Sequence, residues 1–105
     1  MFFILQSFGD FLMTSVSTLK FPEEISIANV IEWKHKLVDF LNAPSPLILD
    51  GENLLRVDTS AIQLMAAFVL KAVAQDKTVQ WQNPSPALLQ TVQQLGLKET
   101  LLITD

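Results

Sequence analysis

The sequence predicts one α/β domain: a mixed, largely parallel sheet of four to five strands with three to four helices. Three observations carry this expectation. Short apolar runs alternate with longer amphipathic stretches, the pattern of strands joined by crossover helices. Leu47-Ile48-Leu49 is a continuous apolar run, as in a strand buried on both faces. Stretches 29–41, 59–75 and 87–95 each gather a broad apolar side at helical spacing, so each can cover a sheet face. At 105 residues, 50% of them hydrophobic, the chain can enclose one core and is too small for two.

Residues 1–12 read as an apolar N-terminal extension ahead of a domain at 13–105. The extension carries no Lys or Arg before its apolar run, and Gln6, Ser7, Gly9 and Asp10 interrupt it. It is too short to span a membrane and lacks the basic start of a signal peptide. Its aromatic residues favour burial, either as an extra packed segment or as an arm that docks on a second copy to make a homodimer. An extension upstream of a start at Met13 is the third reading.

Ser15 to Phe21 alternates enough to form a first strand, which Pro22 ends or bends. Glu23 to Ile27 is a second short extended piece. A helix begins near Ala28 with Ser26 as a candidate cap, and Val30, Trp33, Leu37, Phe40 and Leu41 form its core stripe. Pro44 and Pro46 prevent that helix from continuing. After the strand at Leu47–Leu49, Asp50-Gly51-Glu52-Asn53 turns the chain, and Leu54 to Val57 leads into the next helix. Asp58 is a good N-cap, with a carboxylate that can accept from the free N–H groups of the first turn and faces the positive end of the helix dipole.

In the helix from about Thr59 to Gln75, the core face at about 100° per residue is Ala61, Ile62, Met65, Val69, Ala72 and Val73. The opposite side holds Ser60, Gln63, Ala67, Lys71 and Gln75, with Leu64 inside that polar stripe and Phe68 and Leu70 flanking it. Thr78 to Gln82 alternates strictly, Val79 and Trp81 inward, as in a strand at or near a sheet edge. Ser85 caps the last helix and Pro86 takes its first position, where a missing N–H costs nothing. Gly96 supplies the left-handed residue that stops this helix, and Leu97 folds back on it. Lys98 to Ile103 closes the core as a short helical or extended stretch.

Composition limits the chemistry. A net charge of −4 with no cluster of Lys and Arg argues against nucleic acid or an anionic membrane as a main partner. The absence of cysteine removes disulfides and thiolate metal sites and is compatible with a reducing cytoplasm. His35, the only histidine, lies between Lys34 and Lys36 and reads as a solvated surface residue. Asp50 and Asp58 fall at adjacent loop ends, but acid–base work would need a cleft and a nucleophile or metal that nothing else supplies. The chain therefore reads as a non-catalytic protein with no cofactor. Thr59 and Ser60 are its most informative polar residues, because a phosphate on either hydroxyl would meet the unpaired donors and dipole of the helix start.

Leu47-Ile48-Leu49-Asp50, followed after a loop by Val57-Asp58-Thr59-Ser60-Ala61-Ile62-Gln63-Leu64, resembles the central signature of STAS domains, the anti-anti-sigma modules. The resemblance continues through a helix, a strand at Val79-Gln80-Trp81 and the Pro-Ser-Pro-Ala-Leu-Leu … Leu-Gly-Leu close, covering about Val16 to Leu102. It implies the STAS, or anti-anti-sigma, fold. In the anti-sigma factor antagonist branch the motif is Asp-Ser-Ser-Gly, and a serine kinase that also binds the sigma factor phosphorylates the second hydroxyl. Ser60 matches that hydroxyl, Thr59 the first, and Asp58 the aspartate, while Ala61 stands where glycine is usual. A second branch, soluble subunits of bacterial phospholipid-transport ABC complexes, binds the ATPase and carries threonine at the first position, as Thr59 does here. A third, associated with chemotaxis-type signalling, is similar in its Leu-Gln-Leu-like stretch, here Ile62-Gln63-Leu64. The resemblance thus implies a cytoplasmic regulator that binds a protein partner. Its implied contact residues are Asp50, Asp58, Ala61, Gln63, Leu64 and Lys71, with Ser60 or Thr59 as the phosphorylation site.

Overall fold

The computed structural model describes residues 17–103. The expectations for residues 1–12, and for Ser15 and Val16 in the first strand, lie outside the described residues. The elements in chain order are β1 (Ser17–Lys20), β2 (Glu24–Ile25), α1 (Val30–Phe40), β3 (Leu47–Asp50), β4 (Arg56–Val57), α2 (Thr59–Ala74), β5 (Val79–Gln82) and α3 (Pro86–Leu95). The five strands are shared between a three-stranded sheet ordered β1-β3-β5 and a two-stranded ribbon of β2 and β4. All three pairings are parallel. The fold is the α/β arrangement of strands and crossover helices that the sequence implies.

Register explains which face of the sheet is inside. Leu19, Leu49 and Trp81 form one row across β1, β3 and β5, and Ser17, Leu47 and Val79 another. Side chains two apart share a face, so Leu19, Leu47, Leu49, Val79 and Trp81 line the same side. Leu47 and Leu49 are fully buried there. The row between them, Thr18, Ile48 and Gln80, points the other way, and Thr18 and Gln80 are exposed while Ile48 is half-buried. The expectation that Leu47–Leu49 is buried on both faces is therefore corrected: its apolar run covers one closed face and one partly open one. β5 lies at an edge of the sheet, as its single apolar face implied.

Phe21, just past β1, sits between two tryptophans. Its ring meets Trp33 of α1 edge-on at 5.6 Å and Trp81 of β5 at 5.9 Å, so it ties helix to sheet. Phe40 of α1 stacks on Phe68 of α2 at 6.1 Å. That contact turns α2 slightly from the expected face: Phe68 is buried and Val73 is half exposed, the reverse of their expected roles.

The ends of the helices follow their local chemistry. Ser85 accepts from the amide of Leu88 and caps α3, with Pro86 at its start. Gly96 at φ +70° stops it, while the Leu97 amide donates to the Val92 carbonyl and that of Gly96 to Gln93, the Schellman pairing. α2 ends the same way with Asp76 in the glycine role: φ is +61°, Lys77 N donates to Ala72 O and Asp76 N to Val73 O. The Lys77 ammonium then reaches the Leu41 and Ala43 carbonyls just past α1, where a cation complements the negative end of the helix. The expected start near Ala28 with Ser26 as cap is corrected: α1 begins at Val30, with Asn29 as the boundary residue and no side-chain cap. In the turn ahead of the helix the Ser26 hydroxyl accepts from the Ala28 amide, and the Ser26 amide donates to the Asn29 side chain. Lys98–Leu102 forms turns, and the Trp81 indole donates to the Leu101 carbonyl at 2.8 Å, holding buried Leu101 and Ile103 against the sheet.

Candidate functional site

The polar centre of the molecule is the entry to α2. Asp58 follows β4 in extended backbone, which aims its carboxylate back over the first turn. Oδ1 accepts from the Ala61 amide at 3.0 Å and from the Ser60 hydroxyl at 2.6 Å. Oδ2 accepts from the amide of Ile27, 31 residues away, at 2.8 Å. One carboxylate thus caps α2, fixes the Ser60 hydroxyl and fastens the loop between β2 and α1. The Ser60 hydrogen bond holds the Asp58 carboxyl below the usual carboxylate range; partial desolvation opposes it, and the backbone amides of Ala61, Ile27 and Ser60 reinforce it.

The surrounding ribbon is held by similar contacts. The Glu23 carbonyl accepts from both Leu55 and Arg56 amides, at 2.8 and 3.0 Å. The Arg56 guanidinium lies 3.3 Å from the Glu24 carboxylate, and the Asn29 amide group donates to the Glu24 carbonyl at 2.9 Å. Ile25 and Leu54 are the buried apolar anchors beneath. Ile27 and Leu55 remain 76% and 66% exposed, so this polar entry is bordered by open apolar side chains.

The expected site residues separate into two groups. Thr59, Gln63 and Lys71 are exposed along α2, Ser60 and Asp58 are half-buried at its start, and Leu64 is half-buried with its side chain packed against the core. Ala61 is fully buried and Asp50 is 5% exposed, so neither side chain offers a contact surface in this fold. Asp50 instead organises its own turn, accepting from the Glu52 amide at 3.0 Å and the Gln82 side chain at 3.4 Å. Among the described residues it shares no hydrogen-bond partner with Asp58.

Between α1 and α2 lies a groove of about 210 Å³. Leu37, Leu41, Leu64 and Phe68 form its floor, Val38 and Ala67 its lips, and Lys34 and Lys71 stand at its rim, one on each wall. The sequence pointed to the α2 wall through Leu64 and Lys71, but the α1 wall was missed. Lys34 and Val38 lie 30 residues from Leu64 or nearly so, and only the α1–α2 packing brings them together. Ile27 was missed for the same reason: its role is a backbone amide meeting a distant carboxylate. Among the described residues no group of His, Cys, Asp or Glu could hold a metal ion, and no helix is long and apolar enough to cross a membrane.

Parallel strands with crossover helices, and a capped helix start carrying two hydroxyls, define a small α/β module whose distinctive chemistry gathers at one helix entry. A family model described as "Mlab, STAS domain" matches residues 13–104, and the chain belongs to the STAS domain family. STAS domains are in general non-catalytic regulatory modules. No curated protein matches the chain.

Proposed function

We propose that this protein is a cytoplasmic regulator that docks a partner protein on the entry and outward side of α2, and that phosphate on Ser60 controls the docking. The supporting observation is the 2.6 Å hydrogen bond from the Ser60 hydroxyl to Asp58. Phosphorylation deletes that donor and places up to about two negative charges against a carboxylate that also caps α2 and holds Ile27. Partner affinity then depends on a covalent change at one atom. This matches the anti-sigma factor antagonist resemblance, with a serine kinase as the partner. Thr59 is the more exposed residue, but the hydroxyl that donates to the Asp58 carboxylate is that of Ser60, so a phosphate on Thr59 would disturb less.

The test is affinity capture with the full chain, mass spectrometry of bait and prey, and titration of the captured partner against Ser60→Ala and Ser60→Asp. Phosphate on Ser60, unchanged binding by Ser60→Ala and at least a tenfold loss by Ser60→Asp are expected. Equal affinity of both variants would remove Ser60 charge as the switch.

A second reading is favoured by Thr59, which matches the threonine of the phospholipid-transport subunits in the resemblance. In that reading the partner is a transport ATPase, the contact is constitutive and neither hydroxyl is modified. Capture of an ATPase on unmodified bait, with both Ser60 variants binding normally, would support it. Leu64→Asp is a poor probe of such a contact because Leu64 packs against the core. Gln63→Arg alters the exposed surface without disturbing packing and should abolish the contact.

A further inference from the structure

We propose that the groove between α1 and α2 receives an amphipathic helix whose flanks are acidic, and that this is the partner element docked on α2. The proposal rests on the reading of α2 as a docking helix and specifies the chemistry of what docks. The first observation is the shape and lining. The groove extends from Lys34 of α1 to Leu41, the residue that follows that helix, and over residues 64–71 of α2, about two turns along each side, and its floor is apolar. Its length and lining suit apolar anchors at i, i+3, i+4 and i+7 of a helix laid along it. At about 210 Å³ it falls below the roughly 300–1,000 Å³ of small-molecule sites, yet it accommodates one or two inserted side chains.

Charge is the second observation. The chain carries a net charge of −4, and most of its other cations already have partners. Lys20 lies near Glu52, Arg56 near Glu24, Lys77 on the carbonyls past α1, and Lys36 over the Trp33 ring. Lys34 and Lys71 are exposed and make no ion pair among the described residues, although both border the same apolar floor. Two such ammonium groups, one on each wall, select carboxylates on both flanks of an apolar insert. A second copy that presented this same groove would bring four lysines together, which disfavours a symmetric dimer here.

Ser60 lies one turn before Leu64, on the side of α2 that continues through Ala67 and Lys71. Phosphate on it therefore adds negative charge at the entrance to a groove suited to an acidic helix, and docking weakens. A basic partner would respond in the opposite direction. The acidic flanks thus give the switch its sign.

The test uses the full chain as target for a displayed library of helical peptides, with Leu fixed at i, i+3, i+4 and i+7 and randomised flanking positions. Enrichment of Asp and Glu on the flanks is expected. The selected peptide should bind the Lys34→Glu, Lys71→Glu double variant roughly tenfold more weakly or worse, scaled from two exposed ion pairs turned to repulsion. A peptide with its acids changed to Lys should recover affinity for that variant. Lys20→Glu, outside the groove, should change affinity less than twofold, and melting curves should show all variants folded. No enrichment, flanks without acidic bias, or indifference to lysine reversal would overturn the proposal. So would concentration-dependent self-association abolished by the lysine reversals, displacement of the peptide by a fluorescent fatty acid, or NMR contacts from residues 1–12 to Leu64. Acidic peptides that respond to lysine reversal but ignore Ser60→Asp would uphold the groove and refute the phosphate switch alone.

Discussion

Asp58→Ala should destabilise the protein through two separable losses, and a companion Asp58→Asn separates them. The alanine variant loses the cap on the Ala61 amide and the tether to the Ile27 amide together. A lost N-cap costs about 1 kcal/mol. The tether, at an exposed backbone site that water can re-satisfy, adds about 0.5 kcal/mol at the low end of hydrogen-bond values. The sum of about 1.5 kcal/mol corresponds to a fall in Tm of roughly 6–12 °C for a domain of this size. Asparagine caps as well as aspartate, but it has one acceptor oxygen for the three donors that now share two. Asp58→Asn should therefore lose about 0.5 kcal/mol. Differential scanning calorimetry across pH adds an independent check. The folded-state carboxyl titrates below its ordinary value of about 3.8, so its contribution is complete above that value and is lost as pH falls through the folded pKa. The wild-type advantage over Asp58→Asn should be constant near neutrality and shrink between about pH 5 and pH 2. Equal melting of the asparagine and alanine variants, or an advantage that persists unchanged at pH 2, would refute the shared-carboxylate account.

The two Schellman ends make a paired prediction. Gly96→Ala places a side chain at φ +70° and should cost about 1 kcal/mol, while Asp76→Gly relieves the same strain at φ +61° and should stabilise by up to about 1 kcal/mol, both read from urea unfolding midpoints. Trp81→Phe keeps most of the ring contact with Phe21 but leaves the Leu101 carbonyl without its donor. It should lower stability by about 1 kcal/mol or more and raise amide exchange at Leu101–Ile103 before it affects the rest of the sheet.

What was legible in the sequence was whatever depends on neighbours along the chain. Ser85-Pro86 and Gly96 announced both ends of α3, Asp58 announced the start of α2, and the alternation at Val79–Gln82 announced an edge strand. These are one-turn or period-two signals, decided by backbone donors and side-chain direction within a few residues. Contacts between distant segments were not legible. The Phe40–Phe68 stack rotates the buried face of α2 toward Phe68 and away from Val73, and no periodicity within α2 contains that information. Asp50 reads in sequence as a loop-end carboxylate open to a partner, yet it is buried because β3 lies in the middle of the sheet and Gln82 pairs alongside it. The groove has one wall in each of two helices, so neither helix alone could reveal it.

The structure also separates a part of the molecule that resists charge from a part that responds to it. The three-stranded sheet rests on buried Leu47, Leu49 and Phe21, which a change in surface charge leaves alone. The β2–β4 ribbon has two residues in each strand, far too short to persist by its own ladder. Apart from Ile25 and Leu54, polar contacts hold it: the Glu23 carbonyl, the Arg56–Glu24 pair, the Asn29 side chain and the Asp58 carboxylate. A charge introduced at Ser60 acts directly on the last of these. Its effect on structure should therefore stop at the ribbon, Ile27 and the start of α1, with the sheet as a fixed support. Backbone amide shifts of Ser60→Asp confined to 24–31 and 54–64 would fit that division, whereas shifts spread through β1, β3 and β5 would show that the ribbon and the sheet respond as one unit.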